Sequence, residues 1–106
     1  MSFDNIMFEC DAAGSVGSDG STVVVRGALV ARSNTGIYTV TLDKLADATN
    51  SIFLVSPRTT GDIALSVVHT SATVKTINAR TIAQTTAAAD CAFDFACIRI
   101  TGGTGR

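Results

Sequence analysis

Cys91-Ala92-Phe93-Asp94-Phe95-Ala96-Cys97-Ile98-Arg99-Ile100 is the stretch on which the fold turns. Successive side chains of a strand point to opposite faces. Read with that period, Cys91, Phe93, Phe95 and Cys97 fall on one side, and Ala92, Asp94, Ala96, Ile98 and Ile100 on the other. Both sides are largely apolar. A strand of this kind is expected at the centre of a sandwich, or with one face against another subunit.

The same period recurs upstream. Ile37 to Leu42 alternates, with Tyr38, Val40 and Leu42 expected in the core and Ile37, Thr39 and Thr41 outside. Asp62 to Thr70 carries Ile63, Leu65 and Val67 on one face, and Ala72 to Ala79 follows after Ser71 alone; period leaves a tight hairpin and one long bent strand both open. Ser51 to Val55 reads as a strand closed by Ser56-Pro57-Arg58, because proline cannot donate to a central ladder. Thr22 to Ala31 is the longest strand candidate, and Gly27 in its middle predicts a bulge or sharp bend. Phe3 to Glu9 is a further strand candidate. It runs into Asp11 to Gly20, which reads as a glycine-rich loop.

Helix has little room. Asp43 to Asn50 offers at most one turn within a loop. Thr81 to Asp90 is small and polar and reads as a loop, with its alanines leaving space for a short helix. These signals predict an all-β, jelly-roll-like β-sandwich of about seven to eight antiparallel strands with Greek-key connections. The expected organisation is an N-terminal arm and glycine-rich loop over residues 1–20, a β-sandwich domain over 21–100 and a flexible tail over 101–106.

Composition narrows the role. The chain of 106 residues is 46% hydrophobic and 16% charged, against about 25% charged in ordinary soluble domains. A surface so poor in charge is expected to be covered in part by neighbours. The net charge is -1 and the basic residues are scattered singly, so nucleic acid finds no cationic stripe. The start of the chain, Met1 to Phe8, has no basic cluster or long apolar run, and neither a secretory signal nor a membrane anchor is expected; synthesis in a cytoplasm follows.

The residue types that carry chemistry are sparse. His69 is the single imidazole and sits among Val67, Val68 and Thr70 with no glycine-framed serine beside it. Cys91 and Cys97 are candidates for a thiol paired with His69, but on an apolar strand they are expected to act as small buried hydrophobes. With Cys10 they make three cysteines without a Cys-x-x-Cys pair, so neither a disulfide scaffold nor a zinc site is expected. The carboxylates Asp4, Glu9, Asp11, Asp19, Asp43, Asp47, Asp62, Asp90 and Asp94 are spread over loops and strand ends, where they suit turns. Asp11, Asp19 and Asp62 lack the spacing of a calcium loop. Gly14 to Gly20 lacks the Lys-Ser/Thr ending of a phosphate loop. No catalytic residue, cofactor or metal is expected.

The succession Gly36-Ile-Tyr-Thr-Val-Thr-Leu, Ser51-Ile-Phe-Leu-Val-Ser-Pro, Ala64-Leu-Ser-Val-Val and Asp90-Cys-Ala-Phe-Asp-Phe-Ala-Cys-Ile-Arg resembles small β-domains of tailed-bacteriophage structural proteins. Head-decoration (cement) proteins, head fibres and tail-fibre tips carry similar patterns, and the likeness covers roughly residues 21 to 100. It implies a jelly-roll-like domain, commonly a homotrimer, without enzyme activity, and it transfers no site residue. Tail fibres usually carry a long shaft, and this sequence has no heptad or collagen-like segment to supply one. The expected role is therefore a capsid decoration protein on the virion surface. Its partner is the major capsid protein of a phage head, and Phe3 to Gly20 is the candidate capsid-gripping arm. The alternative is a tail-fibre or head-fibre module that binds a receptor or carbohydrate.

Overall fold

The structure is a computed structural model, and it describes residues 6–44, 51–58, 62–82 and 87–102. Eight strands are defined in chain order: β1 (Ile6–Val16), β2 (Thr22–Arg26), β3 (Ala28–Asn34), β4 (Ile37–Leu42), β5 (Ser51–Pro57), β6 (Ile63–His69), β7 (Val74–Thr81) and β8 (Phe93–Gly102). They form two four-stranded sheets, sheet A in the order β2-β1-β8-β5 and sheet B in the order β3-β4-β7-β6. Every pairing is antiparallel. No helix occurs among the described residues. The expected all-β sandwich is the fold.

The core lies between the sheets where their alternating faces meet. Tyr38, Val40 and Leu42 from β4 and Ile77 and Ala79 from β7 face Ala12 and Val16 from β1 and Phe93, Phe95 and Cys97 from β8, all buried. Tyr38 and Phe93 make an edge-to-face pair with centroids 5.1 Å apart. Phe53 of β5 stacks on Phe95 at 5.7 Å. The expected inward set of β4 is the observed one. β8 is an interior strand of its sheet, flanked by β1 and β5, as its two apolar faces require.

The reading of Asp11 to Gly20 as a loop is corrected. β1 continues to Val16 and pairs with β8 from Ile6↔Gly102 to Val16↔Phe93. A β-bulge lies between Cys10 and Ala12, leaving Asp11 unpaired. Beyond it Ala12, Gly14 and Val16 sit opposite Cys97, Phe95 and Phe93 on the inward face. Small residues suit these positions because the facing side chains are large. At Gly14 a Cβ would come within 2.7 Å of the Val24 carbonyl oxygen, so this glycine marks close approach of β2. The sandwich therefore includes residues that the sequence pattern assigns to an arm. Residues 1–5 lie outside the described residues, as do 45–50, within the expected helical turn, and 103–106 of the expected tail.

The bend at Gly27 is present and does more than expected: it carries the chain from sheet A into sheet B. Gly27 has φ +78°, and a Cβ there would lie 2.2 Å from the Asp11 carbonyl oxygen. Ser71 resolves the choice between hairpin and long strand. β6 and β7 form a tight hairpin from Ile63↔Thr81 to His69↔Lys75, and the Ser71 hydroxyl accepts from the amides of Thr73 and Val74. β8 runs two residues further than expected, through Thr101 and Gly102.

Gly27→Ala is expected to destabilise the domain by about 2–5 kcal/mol, since a left-handed non-glycine residue costs about 1–2 kcal/mol and an overpacked contact about 1–3. Urea unfolding followed by far-ultraviolet circular dichroism should give a lower midpoint with an unchanged slope.

Candidate functional site

Three polar or apolar groupings stand out, one at each end of the sandwich and one on a sheet face. The first is built where three turns converge. Asp90 Oδ1 accepts from Arg32 Nε at 2.9 Å and from the Gly36 amide at 2.8 Å. The Tyr38 hydroxyl donates to the Ser18 carbonyl at 2.6 Å, accepts from the Cys91 amide at 3.0 Å and lies 3.4 Å from Asp90 Oδ1. Arg32 extends from β3, Tyr38 from β4, and Asp90 precedes β8, so the cluster ties both sheets and the 17–20 turn together.

The second grouping surrounds the β1 bulge. The Asp11 carboxylate is buried and faces Arg99, whose Nε lies 3.3 Å from Asp11 Oδ2 without hydrogen-bond alignment. Arg99 also donates to Glu9 at 2.6 Å, and Lys44 Nζ lies 3.9 Å from Asp11 Oδ1. The two carboxylates are balanced by two cations. This explains why an acidic bulge residue can be buried.

The chemistry-bearing residues of the sequence stay apart or serve the fold. His69 ends β6, with Nε2 3.2 Å from Lys75 Nζ. Lys75 points inward on β7, fully buried, and donates to the Ser71 carbonyl at 2.7 Å. It shares the inward face with Ile77 and Ala79 at two-residue spacing, so alternation along β7 carries a lysine into the core. Cys91 and Cys97 are buried free thiols in the core, and Cys10 is exposed. Asp19 caps its own turn by accepting from the Ser21 amide, and Asp94 accepts from Ser15 at 2.6 Å and faces Arg58 at 3.5 Å. Asp4 and Asp47 lie outside the described residues. Among the described residues no group of three or more His, Cys, Asp or Glu side chains is arranged to hold a metal ion, and no pocket is found.

The third grouping is the outer face of sheet A. Across β5, β8 and β1 the outward residues form rows: Ile52, Ile98 and Cys10, then Leu54, Ala96 and Ala13, then Ser56, Asp94 and Ser15. β2 adds Arg26 beside Ala13 and Val24 beside Ser15. Leu54 is 51% exposed, Val24 54% and Ile52 41%. The first two rows carry no charge across β5, β8 and β1. The outer face of sheet B is mixed: Thr39, Thr41, Thr76, Asn78 and Ser66 lie among Leu29, Val68 and Val74. The apolar second face of β8, legible in the sequence, thus becomes one contiguous surface with its neighbours.

Comparison with protein-family models, with curated proteins and with solved structures found no match.

Tyr38→Phe is expected to cost about 1–3 kcal/mol, because the buried Cys91 amide and the Ser18 carbonyl lose their shared partner; thermal melts of the two proteins measure it. The pH response has two arms. The Arg32 hydrogen bond, followed by the Gly36 amide, holds the Asp90 carboxyl below its ordinary 3.8. The folded state therefore binds this proton less readily than the unfolded one. The resulting stability is complete above that value and disappears as pH falls through the lower folded value. Burial raises the Cys91 and Cys97 thiols above 9.0 and the Tyr38 phenol above 10.0. Their contribution is present below those values and lost as pH rises past them. Melting temperature should form a plateau falling at both ends, and Asp90→Asn should lower the plateau while flattening its acid end.

Proposed function

We propose that the chain is a non-enzymatic virion structural protein, a capsid decoration protein that binds the outer face of a phage head and stabilises it by contact with the major capsid protein. The observation that carries this reading is the outer face of sheet A. A monomer in water would leave Ile52, Leu54, Ala96 and Ile98 uncovered side by side, and contiguous apolar patches on soluble proteins mark interaction surfaces. Sparse charge points the same way: a surface covered by neighbours in a lattice does not need charged groups to keep it in water. The resemblance to phage structural domains supplies the kind of assembly.

The gripping role moves from the arm to the sheet. β1 is an interior strand of sheet A, so removing residues 2–20 would take out part of the domain itself, and surface substitutions are the cleaner probe. Particles purified from cells that make the chain should contain it in fixed proportion to the major capsid protein. Heads assembled without it should take it up when it is added and then withstand heating better. Absence of the chain from purified particles, or micromolar glycan binding by the isolated chain together with no effect on head stability, would overturn the reading.

A further inference from the structure

We infer that Asp19 is a site of spontaneous backbone modification that the fold keeps closed: released from its turn, the Asp19-Gly20 linkage rearranges to the isoaspartyl form, and the Tyr38 clasp governs that release. The chemistry needs no enzyme or cofactor. An aspartate carboxyl and the amide nitrogen of the next residue can close a five-membered ring, and a following glycine has no side chain to obstruct the approach. Asp19-Gly20 is the single Asp-Gly step of the chain. In the reaction the Gly20 nitrogen bonds to Asp19 Cγ, and its proton leaves with the hydroxyl of the protonated carboxyl as water, giving a succinimide. Water then opens the ring. Cleavage at the former main-chain carbonyl leaves the chain running through Asp19 Cβ and Cγ.

The turn blocks both halves of this step. The Gly20 amide donates to the Gly17 carbonyl at 2.9 Å, and a carbonyl cannot take the proton that the attacking nitrogen must lose. Asp19 Oδ1 accepts from the Ser21 amide at 3.0 Å, and Ser21, through its hydroxyl and then its amide, holds the carboxyl below its ordinary 3.8. A carboxyl kept ionised is a poor target, because the oxygen that leaves as water must first be protonated. The fold also requires the labile glycine. Gly20 has φ +88°, and a Cβ there would lie 2.8 Å from Arg32 Cβ and 2.9 Å from the Arg32 nitrogen. Closure of the turn rests on the Gly17 amide, which donates to the Ser21 carbonyl at 2.7 Å, and on the Tyr38 hydroxyl, which donates to the Ser18 carbonyl at 2.6 Å. The second bond reaches in from sheet B, so the opening of the turn depends on how firmly the sandwich holds Tyr38. The isoaspartyl linkage adds one atom to the main chain between Gly17 and Ser21. The closed turn cannot re-form around it unchanged, and a modified chain loses the lock that protected it.

The inference is independent of capsid binding, and its test uses the purified chain alone. During long incubation in warm neutral buffer, isoaspartate is counted by enzymatic methyl transfer to its free carboxyl group and located by mass spectrometry of proteolytic peptides. The native chain should gain it at Asp19 roughly ten-fold or more slowly than the same chain in guanidinium, since reaction waits on a costly local opening. Tyr38→Phe should raise the native rate about five-fold or more, the smallest change in an opening equilibrium expected when a buried hydrogen-bond partner is lost. Val40→Ala weakens the core without touching the turn, so it should remain slower than Tyr38→Phe and separates local release from general loss of stability. Asp19→Glu, whose longer side chain closes the ring poorly, should remove the signal. Should Tyr38→Phe fail to fold, Ser21→Ala, which takes away the hydroxyl that holds the Asp19 carboxylate, replaces it with the same expected direction. A native chain that reacts as fast as the denatured one overturns the inference. So does Tyr38→Phe, or Ser21→Ala in its place, reacting no faster than Val40→Ala, and so does an undiminished signal in Asp19→Glu.

Discussion

The contact between Tyr38 and Phe93 is the interaction on which the rest of the sandwich depends. The two rings belong to interior strands of opposite sheets and meet edge to face at 5.1 Å, a geometry worth about 0.5–1.5 kcal/mol beyond the area it buries. Its larger consequence is positional. With the ring fixed in the core, the hydroxyl emerges where it can hold the Ser18 carbonyl and the Cys91 amide together. The turn before β2 and the entry to β8 are thereby referred to one atom. Asp90, one residue before Cys91, extends the same tie to Arg32 and Gly36. A hydrophobic contact and a hydrogen-bonded clasp thus share a single side chain.

Where alternation was strong the sequence was a faithful guide. Tyr38, Val40 and Leu42, and Phe93, Phe95 and Cys97, point inward as their period requires, because one slip of register would expose them all. The glycine-rich stretch before β2 misled for a physical reason. Small residues signal loops by composition, but Ala12 and Gly14 are small here because Cys97, Phe95 and the β2 backbone occupy the space opposite them. Only the partner strand reveals that. Lys75 is a second case: alternation with Ile77 and Ala79 puts it on the inward face, its residue type argues for water, and the partners that receive it, Ser71 and His69, are brought to it by the hairpin. The apolar face was legible only in part. Cys91 to Ile100 announces an outward row on β8, but nothing local says that Ile52, Leu54, Cys10 and Ala13 will align beside it.

The two outer faces of the sandwich are unequal. Sheet B presents threonines, serine and asparagine between its aliphatic residues, groups that water can hydrate. Sheet A presents two uncharged rows bordered by a neutralised Asp94–Arg58 pair. Inequality of this kind gives a small, weakly charged domain an orientation: one side tolerates water and the other is favoured by burial. Specificity then comes from the order of large and small side chains along strands that the core already holds in register.

The register of β1 with β8 also fixes how the domain bears load. Ile6 pairs with Gly102, so the chain enters and leaves the sandwich at the same end of adjacent antiparallel strands. Tension applied through both ends opens the ladder bond by bond, like a zip, whereas tension across opposite ends of a strand pair would shear many bonds at once. A module attached through its ends yields early under such pulling, while one held by its flat sides feels compression and shear that the whole core resists. The domain is mechanically suited to being clamped by its faces and poorly suited to being a link in a chain.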